Sequence, residues 1–274
     1  MTRMSGWRKH PLRVAARLLW FGVELVLGAV RYIPNCAFQT GDALASAQAR
    51  WLQRTACRIL RILNLTIQTD GPVPRAGLLV SNHLGYVDVV VIASLVPSRF
   101  VSKYEVKHWP VFGTFARLAG TIFVQRERRL QTVEAASEIE QAFSNDVLLV
   151  LFPEGTSSDG TSVLPFKSPL LEPAVRKQPL ITTAFIRYEL DDGDPREDVA
   201  YWRDMTLIPH LLNLLSKRSV RAFLRFEKVD SMPPDRKLLA RQLRSKIFHL
   251  GGLEEDSQKE TKGTKKVDVS DINR

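Results

Sequence analysis

From Asn64 onward, short β-branched runs alternate with stretches of helical periodicity. That alternation limits the fold more than any other feature of the chain. Strands are predicted at 65–68, 77–81, 99–102, 121–125, 147–152, 180–188 and 220–228, where Val, Ile, Thr and Phe cluster between turn residues. Helices are predicted near 88–95, 104–118, 129–144, 168–177, 205–217 and 235–249, the last with Asp235 as its N-cap. The pattern predicts a single α/β domain with a mixed, largely parallel sheet flanked by helices. In such sheets ligands gather at the carboxyl ends of the strands. No internal repeat is visible.

At 274 residues, 45% apolar and 25% charged, the chain is ordinary for a globular protein and not a polytopic membrane protein. Its two cysteines, Cys36 and Cys57, suit neither a disulfide framework nor a four-ligand zinc site, and point to a reducing compartment. The net charge is +10, and its placement matters more than its size. Residues 251–274 hold five basic and six acidic groups, so the excess sits in the body of the chain. Such a body favours anionic partners. The polar tail after Gly251-Gly252 reads as disordered.

Residues 1–31 hold six basic groups and one acid, Glu24. The apolar run 18–30 is only thirteen residues even with that glutamate, short of the about 20 a spanning helix needs. No small-residue cleavage site makes it a signal peptide. On a helix, Lys9, Arg13, Arg17, Glu24 and Arg31 fall within about 80° of one another. The rest of the circumference holds residues such as Leu18, Leu19, Trp20, Val23, Val26 and Val30. That pattern suits a helix lying in a membrane interface, an anionic surface being a natural partner for the basic groups. The plainer alternative is a helix packed on the core with its charges in water. A second helix, about 42–63, stacks Arg50, Arg54, Arg58 and Arg61 and leaves the same two readings open. Nucleic acid is not an expected partner, because no helix-turn-helix, zinc-finger or RNA-binding signature accompanies these stripes. The domain organisation predicted is 1–63 for membrane-associating helices, 64–250 for the α/β domain and 251–274 for the tail.

Three motifs carry chemistry. Asn82-His83 with Asp88 follows the strand at 77–81. Five residues apart on a regular helix would point His83 and Asp88 140° apart, so a turn must intervene, and Gly85 permits one. An aspartate on one ring nitrogen leaves the other free as a general base. A buried histidine beside a helix-capping aspartate is the alternative. Gly120 to Arg126 delivers an arginine to a strand end, where a guanidinium suits an oxyanion. Phe152-Pro153-Glu154-Gly155-Thr156-Ser157-Ser158 places a carboxylate, a glycine and three hydroxyls at the end of the most apolar strand.

In this order and spacing, over residues 65–190, these blocks resemble the glycerolipid acyltransferase family of the 1-acylglycerol-3-phosphate type, with Lys167 and Pro179 at further matching positions. The resemblance implies acyl transfer from acyl-CoA or acyl-carrier protein to the free hydroxyl of a lysophospholipid such as 1-acylglycerol-3-phosphate, in phospholipid biosynthesis. It implies His83 and Asp88 as catalytic. It implies Asn82, Arg126, Glu154, Gly155, Thr156, Lys103 and Lys167 as substrate-binding, with no metal and no bound cofactor. It also implies membrane association, the active site facing the cytoplasm. One departure stands out. The family usually has arginine where this chain has Ser157, and the run Glu154–Gly160 resembles the lyso-ornithine lipid acyltransferase branch, whose acceptor is phosphate-free. Pro169, where the family often has glycine, departs in the same direction.

Rival classes fit less well. An esterase elbow G-x-S-x-G is missed by one residue, and there is no nucleotide-binding G-x4-G-K-[ST]. A non-catalytic lipid-binding protein remains the contrast for experiment.

Overall fold

A computed structural model of the chain describes residues 6–125, 129–143 and 147–253. Arg126 and the predicted tail lie outside the described residues. Seven strands form one sheet in the order β1-β7-β6-β2-β5-β3-β4. They are β1 Leu65–Asp70, β2 Leu78–Ser81, β3 Ser98–Lys103, β4 Ile122–Val124, β5 Leu148–Leu151, β6 Ile181–Leu190 and β7 Val220–Lys228. Each predicted strand is present. All neighbours pair parallel except β6 and β7, which run antiparallel. β2 lies between β5 and β6, in register Leu79↔Val150 and Leu79↔Thr182. The mixed, largely parallel sheet expected from sequence is therefore the observed one.

The helices are α1 Gly6–Lys9, α2 Pro11–Cys36, α3 Gly41–Leu63, α4 Tyr86–Leu95, α5 Phe112–Leu118, α6 Arg129–Ala142, α7 Glu172–Lys177, α8 Pro195–Asp198, α9 Leu207–Ser216 and α10 Arg236–Leu250. One core layer holds Leu79, Val91, Leu148, Ile186 and Leu214; the other, across the sheet, holds Leu78, Leu149, Leu171, Leu239 and Leu243. The central strands β2 and β5 are buried at every position, as strands covered on both faces must be. Asp235 caps α10, accepting from Lys237 and Leu238 N–H.

Two expected helices are broken. The predicted 104–118 helix splits into a 3-10 turn at Tyr104–His108 and α5, because Pro110 cannot continue a helix and Val111 adopts a left-handed φ of 63°. The predicted 168–177 helix opens with a 3-10 turn, Ser168–Leu171, ahead of α7, whose first turn holds Pro173.

The N-terminal helices depart most from the ordinary pattern. α3 is a core helix: Trp51, Leu60 and Ile62 are buried, while Arg50, Arg54 and Arg61 face solvent. α2 is reversed. Its polar stripe faces the protein: Arg13 donates to the Ser216 carbonyl, Arg17 to the carbonyls of Leu215 and Lys217, and Glu24, 5% exposed, pairs with Arg31 and Arg58. Close α2–α3 packing is fixed at Gly28, whose carbonyl accepts from Trp51 Nε1 at 2.9 Å and where a Cβ would stand 3.3 Å from Phe115. The apolar arc of Leu18, Leu19, Trp20, Val23, Val26 and Val30 is left uncovered, Leu19 being 72% exposed. Among the described residues no helix is long and apolar enough to cross a membrane.

Candidate active site

The carboxyl ends of β2, β3 and β5 converge on a cavity of about 380 Å³. β2 ends at Ser81 and the chain runs through His83 into α4. Asp88, fully buried, sits at the third position of α4 and accepts from Leu84 N–H at 2.6 Å and Gly85 N–H at 3.0 Å. The same oxygen, Oδ2, meets His83 Nδ1 at 2.8 Å. The helix start thus folds the five-residue spacing into contact. Gly85 itself is extended, at φ 160°, so the turn does not need left-handed backbone there. Its lack of a side chain serves another end: a Cβ would approach Tyr201 N to 2.9 Å.

The second oxygen of Asp88 accepts from the buried Tyr188 hydroxyl at 2.7 Å. Burial and the neighbouring Asp88 push the Tyr188 phenol well above its ordinary range, so it stays a donor. Sequence reading missed this residue. Its signal is only a tyrosine on an apolar strand 100 residues downstream, brought to Asp88 by β2–β6 pairing. The His83 ring stacks on Phe152, centroids 4.2 Å apart, and its carbonyl accepts from Ser158 N–H at 2.9 Å. With Nδ1 engaged, the Nε2 edge of a partly exposed ring is left for the cavity that His83 lines.

Of the other expected substrate-binding residues, Gly155, Thr156 and Lys103 line the cavity with His83. Asn82 does not. Its side chain is buried and extends the β2–β6 ladder, Nδ2 donating to the Ile186 carbonyl and Oδ1 accepting from Ile186 N–H. Glu154 is 1% exposed and holds the His83 backbone, Oε1 accepting from His83 N–H at 3.1 Å. Burial pushes the Glu154 carboxyl up to about 8, against the pull of the backbone N–H groups of His83 and Leu164. Its Oε2 is buried with no hydrogen-bond partner, so the ionised form lacks compensation there. Lys167 borders a neighbouring groove that shares Val124 and Leu170 with the main cavity. Asn82, Glu154 and Lys167, expected at the acceptor, are thus not among the residues that line the cavity with His83.

Ser157 Oγ donates to the Tyr201 carbonyl and is thereby engaged within the protein. Tyr201 N–H in turn donates to the Leu84 carbonyl at 2.7 Å. The segment 200–203 thus closes one side of the cavity, adding Tyr201, Trp202 and Arg203 to its wall. Among the described residues no group of three or more His, Cys, Asp or Glu side chains is placed to hold a metal ion.

A histidine held by an aspartate and lining a largely apolar cavity is chemically suited to take a proton from a hydroxyl there. Comparison with known proteins agrees in class. A family model described as Acyltransferase matches residues 64–187. A lyso-ornithine lipid O-acyltransferase of Brucella abortus (strain 2308) is 36% identical over 205 residues, covering 69% of this chain and 77% of the relative. The chain belongs to this acyltransferase family. The acyltransferase is also 29% identical over 138 residues to a 1-acyl-sn-glycerol-3-phosphate acyltransferase of Neisseria meningitidis serogroup B, covering 49% of this chain and 54% of that one. Its fold matches the crystal structure of the 1-acyl-sn-glycerophosphate acyltransferase PlsC from Thermotoga maritima, with a TM-score of 0.62 at 20% identity, over 88% of this chain and 96% of that one. This acyltransferase is an O-acyltransferase of lipid metabolism.

Proposed function

We propose that this acyltransferase moves a fatty acyl group from a thioester, acyl-CoA or acyl-carrier protein, to the free hydroxyl of a lyso-ornithine lipid. The observation that carries the acceptor is Ser157: its hydroxyl is bonded to Tyr201, in the family block where phosphate-directed members carry arginine. The greater identity to the lyso-ornithine relative supports the same reading. 1-Acylglycerol-3-phosphate is the second acceptor to test, favoured by the likeness to the Neisseria relative and by the cationic body of the chain.

His83 acts as the general base. Asp88 accepts from Nδ1–H and leaves Nε2 to take the proton of the lipid hydroxyl. The oxygen attacks the thioester carbonyl as the O–H bond breaks. The tetrahedral intermediate then expels the thiolate, which takes the proton back from Nε2. Asp88 holds the imidazolium between these steps, itself held by Tyr188 and two backbone N–H groups. Gly155 and Thr156 shape the acceptor side of the cavity, and Lys103 contributes positive charge at its rim.

The uncovered arc of α2 docks the protein on the membrane from which the acceptor is drawn. Seating one exposed Leu or Val in lipid contributes roughly 1.5–3 kcal/mol when burial is complete. The catalytic side of the sheet faces the cytoplasm, where thioester donors are made. Purified protein offered a labelled acyl thioester with each acceptor in parallel tests the reading, with His83→Ala as control. Acylation of lyso-ornithine lipid, lost in the variant, is expected. Acylation of lysophosphatidate alone would overturn the acceptor assignment.

A further inference from the structure

Among the described residues lining the cavity, two side chains are cationic, Lys103 and Arg203, and none is anionic. Their settings differ. Lys103 ends a strand on a flexible stem. Arg203 belongs to a segment in which several groups are tied to a fixed element. The Ala200 carbonyl accepts from His210 Nε2 at 3.0 Å. Tyr201 is held on both its N–H and its carbonyl, by Leu84 and Ser157. Trp202 Nε1 donates to the Arg196 carbonyl at 3.0 Å. The guanidinium of Arg203 then lies 3.8 Å from the centroid of the Trp202 ring. Arg203 itself has φ 54°, a left-handed conformation that costs a non-glycine residue free energy and persists only where the surroundings impose it.

We propose that Arg203, stacked on Trp202 and carried by the segment that Ser157 ties down, is the residue that binds the anionic group of the acyl acceptor. The assignment rests on the acceptor reading above, in that the acceptor must be anionic at its head group. An ornithine joined through its α-amino group keeps a free carboxylate, and a planar guanidinium meets a carboxylate or a phosphate with two parallel hydrogen bonds. Stacking leaves the edge of the guanidinium available while fixing its plane, so little side-chain freedom is lost on binding. Ser157 is a positioning residue in this scheme: it touches Tyr201, and through it sets where Arg203 stands.

The test is steady-state kinetics of the full chain in lipid–detergent micelles with three acceptors: lyso-ornithine lipid, its carboxyl methyl ester, and lysophosphatidate. Arg203→Ala should raise the acceptor KM roughly 10- to 100-fold, with the thioester KM unchanged. Wild type should disfavour the methyl ester by a similar factor, and the variant should lose that discrimination. Arg203→Lys should recover part of the affinity, and thermal midpoints should confirm that the variants are folded. Ser157→Ala should raise the acceptor KM while keeping discrimination between acid and ester. The lysophosphatidate arm tells whether the bound group is a carboxylate or a phosphate. An unchanged acceptor KM in Arg203→Ala, or an ester penalty that persists in it, overturns the assignment alone. A wild-type enzyme that acylates neither anionic acceptor overturns the acceptor reading and this assignment with it.

Discussion

Asp88 uses both oxygens, one toward His83 and the loop N–H groups, the other toward Tyr188. Tyr188→Phe removes one donor and leaves a fully buried carboxylate oxygen unpaired. We expect a loss of about 1–3 kcal/mol of stability by denaturant titration. We also expect kcat to fall about tenfold, because the imidazolium is then less firmly held. Asp88→Asn should lower kcat far more while leaving acceptor KM nearly unchanged. His83 and Asp88 were legible in the sequence because their contact is local, formed by one helix start. Tyr188 and Arg203 were not, because each reaches the site through tertiary pairing that no local pattern records. That Asn82 and Glu154 stand away from the cavity was not legible for a related reason. Polar residues beside the histidine of such a motif read as substrate contacts, and only the β2–β6 register and the depth of burial show where their side chains sit.

At the scale of elements, the strands were legible to within about two residues because β-branched runs between turn residues bound them closely. The interrupted helices were not, since helical periodicity persists through Pro110 and across the 3-10 turn before Pro173. α2 was half legible. Its two faces were plain in the sequence, but not that the charged one turns inward to meet α9 and the residues after it. Leu19→Glu with Val26→Glu should release the protein from liposomes in a flotation assay without lowering its thermal midpoint, because neither side chain is buried. A drop in midpoint would mean that the arc packs on protein. Gly85→Ala presses a methyl group against the Tyr201 backbone at 2.9 Å, which forces the 200–203 segment outward. Acceptor KM should rise, with the His83–Asp88 pair intact.

For the whole molecule, two buried groups, His210 and Glu154, make stability depend on pH. Burial holds His210 down at about 4, against Asp198, which favours its charge, and with Lys217, which opposes it. Its Nε2–H donates to Ala200, so Nδ1 accepts from the Tyr86 hydroxyl at 2.8 Å. The unfolded chain protonates this histidine below about 6.5, so stability falls as pH drops from there toward 4, by about 3 kcal/mol in all. Glu154 acts in the other direction. Held at about 8 in the fold, it remains protonated where the unfolded chain has ionised, so stability falls as pH rises from about 4.5 to 8. Glu154→Gln should flatten the fall in stability between about pH 4.5 and 8, and His210→Gln the fall between about 6.5 and 4, both read by thermal melts in buffers of constant ionic strength. The inward-facing arginines of α2 have a consequence for biosynthesis. Their carbonyl partners lie 198 to 203 residues downstream. At roughly 5–20 residues per second, a ribosome delivers those partners on the order of 10–40 s after the helix has emerged. Throughout that interval α2 has only α3 to pack against, through Trp51 on Gly28 and Arg58 on Glu24, while Arg13 and Arg17 still lack their carbonyls; we expect the nascent chain to present an amphipathic hairpin to the bilayer before the α/β domain closes on it.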